Sequence, residues 1–200
     1  MNPPPIETLL FCGYGRAGKD EAASTIGRIT YLPYAGSFSW AVLPLVAKAL
    51  GIHPQVAWET RHANREFWYR KCNELRANDP TLLARMVLEQ GKVSAGIRDK
   101  VEIDAVKAAH LFGRIVWIDR PGTPVDPTVT FGPGDCDEIL LNDGDLEKFH
   151  VSLFELAVNL RLPLRGTHET RKLFLASSQK AAPFVRVPVK PMKPFAVGNE

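Results

Sequence analysis

Cysteine is scarce in this 200-residue chain, and the three present, Cys12, Cys72 and Cys136, stand far apart with no Cys-x-x-Cys pair. An odd count at such spacing argues against both a disulfide framework and a zinc site, and it suits a reducing cytoplasm. Long apolar runs are also missing, because no stretch approaches the roughly 18 residues that a membrane span requires. The N-terminal Met1-Asn2-Pro3-Pro4-Pro5 has no basic segment leading into an apolar one. Secretion and membrane insertion are therefore not expected. No internal repeat is visible, and His62 and His110 lack partners at metal-ligand spacing.

What is present is the balance of a soluble globular protein, with 45% hydrophobic and 24% charged residues, enough to bury one substantial core. The net charge of +3 hides a split: residues 1–160 carry 17 Lys and Arg against 20 Asp and Glu, and residues 161–200 carry 8 against 2. An acidic body thus precedes a basic, Pro-containing tail. A solvated tail and one that anchors to a partner or a polyanion both fit this charge.

Along the body, strand and helix signals alternate. Ile6 to Cys12 reads as a buried strand ending in glycines, and Asp20 to Ile29 as a helix. Ser37 caps a helical pattern through Leu50, which Pro44 should kink or divide. Residues 54–77 read as helical, and Asp79-Pro80 starts a further helix toward Gly91. Residues 92–97 and 114–119 are strand candidates separated by a helix over 99–111, and 137–141 is a last short strand before a helix ending at Leu160. Such alternation predicts a parallel sheet with helices on both faces. The Pro- and Gly-rich stretch 121–136 is a long loop of the kind that forms lids or binding loops, and beyond Pro163 an extended arm is expected, with one or two helical turns around 170–177.

The most informative stretch is Gly13-Tyr14-Gly15-Arg16-Ala17-Gly18-Lys19-Asp20, followed by Glu21. It fits Gly-x-x-x-x-Gly-Lys between a predicted strand and a predicted helix, the context in which this pattern cradles phosphates. Glycines let the backbone turn successive N–H groups inward, the helix adds its positive end, and Lys19 reaches the terminal phosphates of a nucleotide. Asp20 stands where a hydroxyl residue usually contacts Mg²⁺. It either holds the ion through water or caps the helix.

These residues resemble the bacteriophage deoxynucleoside monophosphate kinases, P-loop enzymes that often carry Gly-Lys-Asp. The segment Ser94 to Glu102, with Arg98 after a strand and Glu102 four residues on, is similar to the family's strand-end segment, as are Ile115 to Pro121, with Arg120, and Asp137 to Leu160. The resemblance covers residues 6–160 and leaves the tail out. The family's Asp two residues before the strand-end arginine is here Gly96, so the metal carboxylate is left to Asp99, Glu102 or Asp119.

The resemblance implies a P-loop kinase-like α/β domain over residues 1–162, with a helical acceptor-binding insertion at about 54–90 and a tail at 163–200. It implies transfer from ATP, with Mg²⁺, to a nucleoside or deoxynucleoside monophosphate in the cytoplasm. Arg98, oriented by Glu102, would bind the acceptor phosphate, and Arg120 the transferring group. Arg65, Arg70 and Arg76 would be available for phosphate, and Trp68 or Tyr69 for stacking a base, although aromatics at helical spacing more often fill a core. A P-loop kinase for another small acceptor and a non-catalytic nucleotide-binding module are the alternatives. Nucleic-acid binding rests on the tail alone, and a homodimer stays open.

Overall fold

The apolar run Leu9-Leu10-Phe11-Cys12 forms a strand because both of its faces can be covered: Leu9 and Phe11 enter one hydrophobic cluster, Leu10 and Cys12 the other. In the computed structural model, which describes residues 6–61 and 63–179, this strand is β1 (Leu9–Cys12). It leads through a glycine-rich loop into α1 (Lys19–Ile29). There follow β2 (Tyr34–Ser37), α2 (Phe38–Leu50), α3 (Pro54–Glu59), α4 (Arg65–Arg76), α5 (Leu82–Gln90) and β3 (Val93–Ala95). The remaining elements are α6 (Lys100–Ala108), β4 (Arg114–Asp119), β5 (Glu138–Leu141), α7 (Leu146–Asn159) and α8 (His168–Gln179).

The sheet order is β2-β3-β1-β4-β5, and every pairing is parallel. The chain is thus an α/β protein whose five-stranded parallel sheet has helices on both faces, as expected. Parallel neighbours need crossovers, and the helices supply them. Helices α1, α7 and α8 cover the face bearing Leu9, Phe11, Val116 and Ile118, whereas α2, α4, α5 and α6 cover the face bearing Leu10, Ile115 and Trp117. Because β3 and β4 flank β1 on opposite sides, the connections diverge at the end of β1. That divergence opens a crevice at the strand C-termini, where ligands bind in open α/β sheets.

Local chemistry explains most element boundaries. Ser37 Oγ accepts from Trp40 N–H at 3.3 Å and starts α2, which runs through Pro44 without division. Asp79 Oδ1 accepts from Thr81 N–H at 2.9 Å before α5, Asp99 accepts from Val101 N–H before α6, and Asp145 from Lys148 N–H before α7. The helical stretch expected over 54–77 is two helices, α3 and α4. Strand β2, which no apolar run announces, is held by Lys92 and Val93 N–H donating to the Pro33 carbonyl at 2.7 and 3.1 Å and by Ser94 Oγ donating to the Gly36 carbonyl at 2.8 Å.

The one or two helical turns expected around 170–177 are part of a longer helix, α8, and the chain just beyond Pro163 packs on the body. Leu164 bridges to Thr30, Arg165 N–H donates to the Ile29 carbonyl at 2.8 Å, and α8 buries Leu173 against the core while Phe174 meets Phe154 edge to face. The prolines at 183, 188, 191 and 194 lie outside the described residues, as does His62. Among the described residues no helix is long and apolar enough to cross a membrane.

Gly91 lies at the crossing between α5 and β3, where a Cβ would fall 2.6 Å from the Pro33 carbonyl oxygen and 2.8 Å from Ala35 N. Both neighbours are backbone and cannot swing aside. Gly91→Ala is expected to cost about 1–3 kcal/mol, seen as a lower urea midpoint with an unchanged denaturant slope.

Candidate functional site

The loop after β1 is shaped by positions that tolerate no side chain. A Cβ on Gly13 would lie 2.8 Å from the Ile118 carbonyl oxygen, and one on Gly18 would lie 2.8 Å from Asn142 Nδ2. Both residues have positive φ, 145° and 102°, which glycine adopts without strain. Arg16 adopts φ 68°, a left-handed value that costs a non-glycine residue energy and that clusters at functional loops. Asn142, just beyond β5, donates from Nδ2 to the Ala17 carbonyl at 2.8 Å and clamps the loop from beneath. Tyr14 rests its ring edge-on against Trp117, centroids 5.2 Å apart.

Lys19 opens α1 with its side chain turned inward, only 9% exposed. Burial pushes its pKa below 10.5, and Arg98 adds to that, while Asp20, Cys12 and Asp126 favour the charged form. Asp20 is exposed in the first turn, where the N-cap is Gly18. Glu21 turns away from the loop and accepts from Thr25 Oγ1 at 3.0 Å and pairs with His150 Nε2 at 2.8 Å. Burial would raise its carboxyl, but these contacts hold it below the usual value.

Facing the loop is a carboxylate that the sequence reading did not single out. Asp126, 8% exposed, belongs to the long loop 121–136. Its Oδ2 accepts from Arg98 Nη1 at 2.7 Å and from Arg65 Nη2, and its Oδ1 accepts from Thr128 N–H at 3.1 Å and Thr128 Oγ1 at 2.6 Å. The same Oδ2 would be 3.5 Å from a Cβ on Gly15. Burial raises its pKa, yet the Thr128 and Arg98 hydrogen bonds outweigh that and hold the carboxyl well below the carboxylate range. Arg98 also donates to Thr128 Oγ1 at 2.7 Å, and Thr130 N–H donates to the Arg98 carbonyl at 2.9 Å. Loop 121–136 is therefore fastened over the end of β3. The legible signal was Asp126-Pro127-Thr128, a pattern in which aspartate bonds the backbone two residues on.

Arg98 and Arg65 thus come together beside the loop, but Glu102 does not orient Arg98. Its Oε2 accepts from Arg76 Nη1, while Arg98 is oriented by Asp126 and Thr128. Burial pushes the Glu102 carboxyl up to about 7 against the pull of Arg76. Arg76 is thereby spent on Glu102 and on Asn73 Oδ1, and Arg70 lies over the Phe67 ring. Trp68, 6% exposed, packs edge-on near Trp58 and has no free face for a base. Tyr69, on α4, is half-buried and has no part in the Asp126 contacts.

Of the carboxylates considered for a metal, Asp99 caps α6, Glu102 is paired and Asp119 is exposed at the end of β4. Arg120, exposed on the β4 side, borders a cavity of about 200 Å³ with Gly18, Glu21, Asn142, Leu146 and Phe149. The loop thus has an arginine-rich mouth on one flank and a small cavity on the other. Compared with known protein families, characterised proteins and solved structures, the chain gives no match.

Proposed function

We propose that the chain is a P-loop phosphotransferase, moving the γ-phosphoryl group of ATP to a nucleoside or deoxynucleoside monophosphate. The observation that carries this reading is the Asp126 carboxylate, an anion held between Arg65 and Arg98 at the mouth of a glycine loop that opens a helix. A phosphate in that position would meet backbone N–H groups and Lys19 from one side and two guanidinium groups from the other. Bringing two polyanions together requires that charge arrangement and little else.

On this reading the loop Gly13 to Lys19 holds the donor triphosphate, and the cavity bordered by Arg120 and Phe149 takes part of its nucleoside end. Arg98 and Arg65 exchange Asp126 for the acceptor phosphate. An acceptor oxygen, already anionic, attacks the γ-phosphorus, the bond to the β,γ-bridging oxygen breaks, and its electron pair leaves with ADP. No protein nucleophile is needed. Arg120 neutralises charge from the donor flank. Asp20 is an exposed, hard oxygen donor beside Lys19, which fits Mg²⁺, since that ion is usually held by one or two carboxylates together with waters and substrate phosphates. Bound there, Mg²⁺ would supply further neutralisation of the β- and γ-oxygens. The partners are small nucleotides of the cytoplasm, a compartment that also suits three free cysteines.

Incubating the folded protein with ATP, Mg²⁺ and each of the deoxynucleoside monophosphates is expected to give acceptor-dependent ADP and the matching diphosphate. ADP formation no faster than without acceptor, across the whole panel, would overturn the reading.

A further inference from the structure

A second cavity, of about 190 Å³, lies between the end of α4 and the first turn of α6 and plays no part in the phosphate chemistry above. Ala77, Pro80 and Val101 form its apolar walls, and Asn73, Arg76 and Glu102 its polar side. Glu102 is 2% exposed, and only one of its oxygens is used. Oε1 is buried with no hydrogen-bond partner among the described residues. Arg76 gives its side-chain hydrogen bonds to Oε2 and to Asn73 Oδ1, and neither reaches Oε1. Buried carboxylate oxygens rarely stay without a donor. Asp99 borders the same cavity and adds a second acidic group, so the space favours a ligand that presents N–H groups and disfavours one that presents carbonyls.

The cavity also lies near the proposed acceptor-phosphate residue. Asp99, the residue after Arg98 and the N-cap of α6, lines the cavity, and Glu102 follows in the first turn of that helix. Helix α4 carries Arg65 toward Asp126 at one end and Arg76 toward Glu102 at the other.

We propose that this cavity receives the base of the acceptor nucleotide and that Glu102, turning its buried Oε1 toward the cavity on binding, accepts a hydrogen bond from an amino group on the base, selecting amino-bearing bases over thymine and uracil. The proposal rests on the phosphotransferase reading for the identity of the ligand. Its chemistry is a planar, apolar body with an N–H edge, sized to the cavity and reached from the Arg98 end.

Equilibrium titration of the full chain with dAMP, dCMP, dGMP and dTMP tests it without relying on turnover. At about pH 8.5, where the Glu102 carboxyl, raised to about 7, is ionised, at least one amino-bearing nucleotide is expected to bind about tenfold tighter than dTMP, the scale of a hydrogen bond to a charged group. Glu102→Gln should erase most of that preference. Should Glu102→Gln fail to fold, Ala77→Leu at the exposed rim fills the cavity from outside. It should weaken every monophosphate, with ATP titrated in parallel to read the integrity of the fold. Equal or tighter binding of dTMP to the wild type, or unchanged selectivity and affinity in the variants, would overturn the proposal and leave Oε1 to a water. Selective binding without ADP formation would sink the phosphotransferase reading and keep the base site. ADP formation with dTMP as good as any other acceptor would do the reverse.

Discussion

Lys19→Ala is expected to lower phosphoryl transfer by about 10²–10³-fold, the usual cost of removing one preorganised charge-stabilising donor, while ATP binding falls much less. The asymmetry follows from how the site divides its work. On the phosphotransferase reading, backbone N–H groups of the loop and the start of α1 would hold the donor in the ground state, and they survive the substitution. The Lys19 ammonium is buried at the inner end of the loop, where water screens it little and where, on the same reading, charge would redistribute as the γ-phosphoryl group moves. Burial lowers its pKa in the empty protein, and the negative charge of a bound triphosphate acts in the opposite direction.

Lys19→Met, which keeps the stem and removes the charge, should reproduce the loss and so separate electrostatics from packing. Lys19→Arg should rescue poorly, since a planar fork does not fit a space closed around a slender stem. Steady-state ADP release and ATP titration on the same samples measure both halves. A variant that no longer binds ATP at all would favour a nucleotide-holding module over an enzyme.

The glycine loop and the central sheet were legible because their signals are local. Four consecutive apolar residues, then glycines at fixed spacing, then Lys19, describe a strand, a turn and a helix start within a dozen positions. Ser37, Asp79, Asp99 and Asp145 announce helices for the same reason, each bonding a backbone group two or three residues on.

What stayed hidden depends on contacts between distant segments. Tyr34-Ala35-Gly36-Ser37 has no apolar run to mark it, and it becomes a strand only because β3 and Pro33 supply its partners. Of helix α8 only one or two turns around 170–177 were expected, and its full length and docking were not, because the packing of Leu173 on the core and the pairing of Leu164 with Thr30 form only in three dimensions. Within the site, the family resemblance implied that Glu102 orients Arg98. Glu102 sits instead on the inward face of α6 against α4, and Arg76, 26 positions away, reaches it first. Arg98 finds Asp126 28 positions later, in a loop whose Pro and Gly content showed only that it was a loop.

Asp126→Asn is the second substitution expected to have a large effect, and its effects on ligand binding and on stability have opposite signs. In the empty protein the carboxylate occupies the charge that Arg65 and Arg98 offer, so an incoming phosphate must displace it or bind beside it. Asparagine keeps the shape and can still accept from Thr128, but it carries no charge to compete. Affinity for inorganic tripolyphosphate should therefore rise about tenfold at low ionic strength, with the gain shrinking as salt screens the partly exposed arginines. Stability should fall, by about 1 kcal/mol once the exposure of Arg65 is allowed for.

The pH dependence has a definite sign. The Asp126 carboxyl is depressed in the folded protein, so its contribution is fully present above the unfolded value of about 3.9 and disappears as the pH falls through the lower folded value. The stability gap between wild type and Asp126→Asn should accordingly be constant from neutral pH down to about 5 and close only in stronger acid. Urea titrations at several pH values measure that gap. An unchanged or weakened tripolyphosphate affinity in the variant would mean that Asp126 belongs to the phosphate-binding surface and does not compete with the ligand for it.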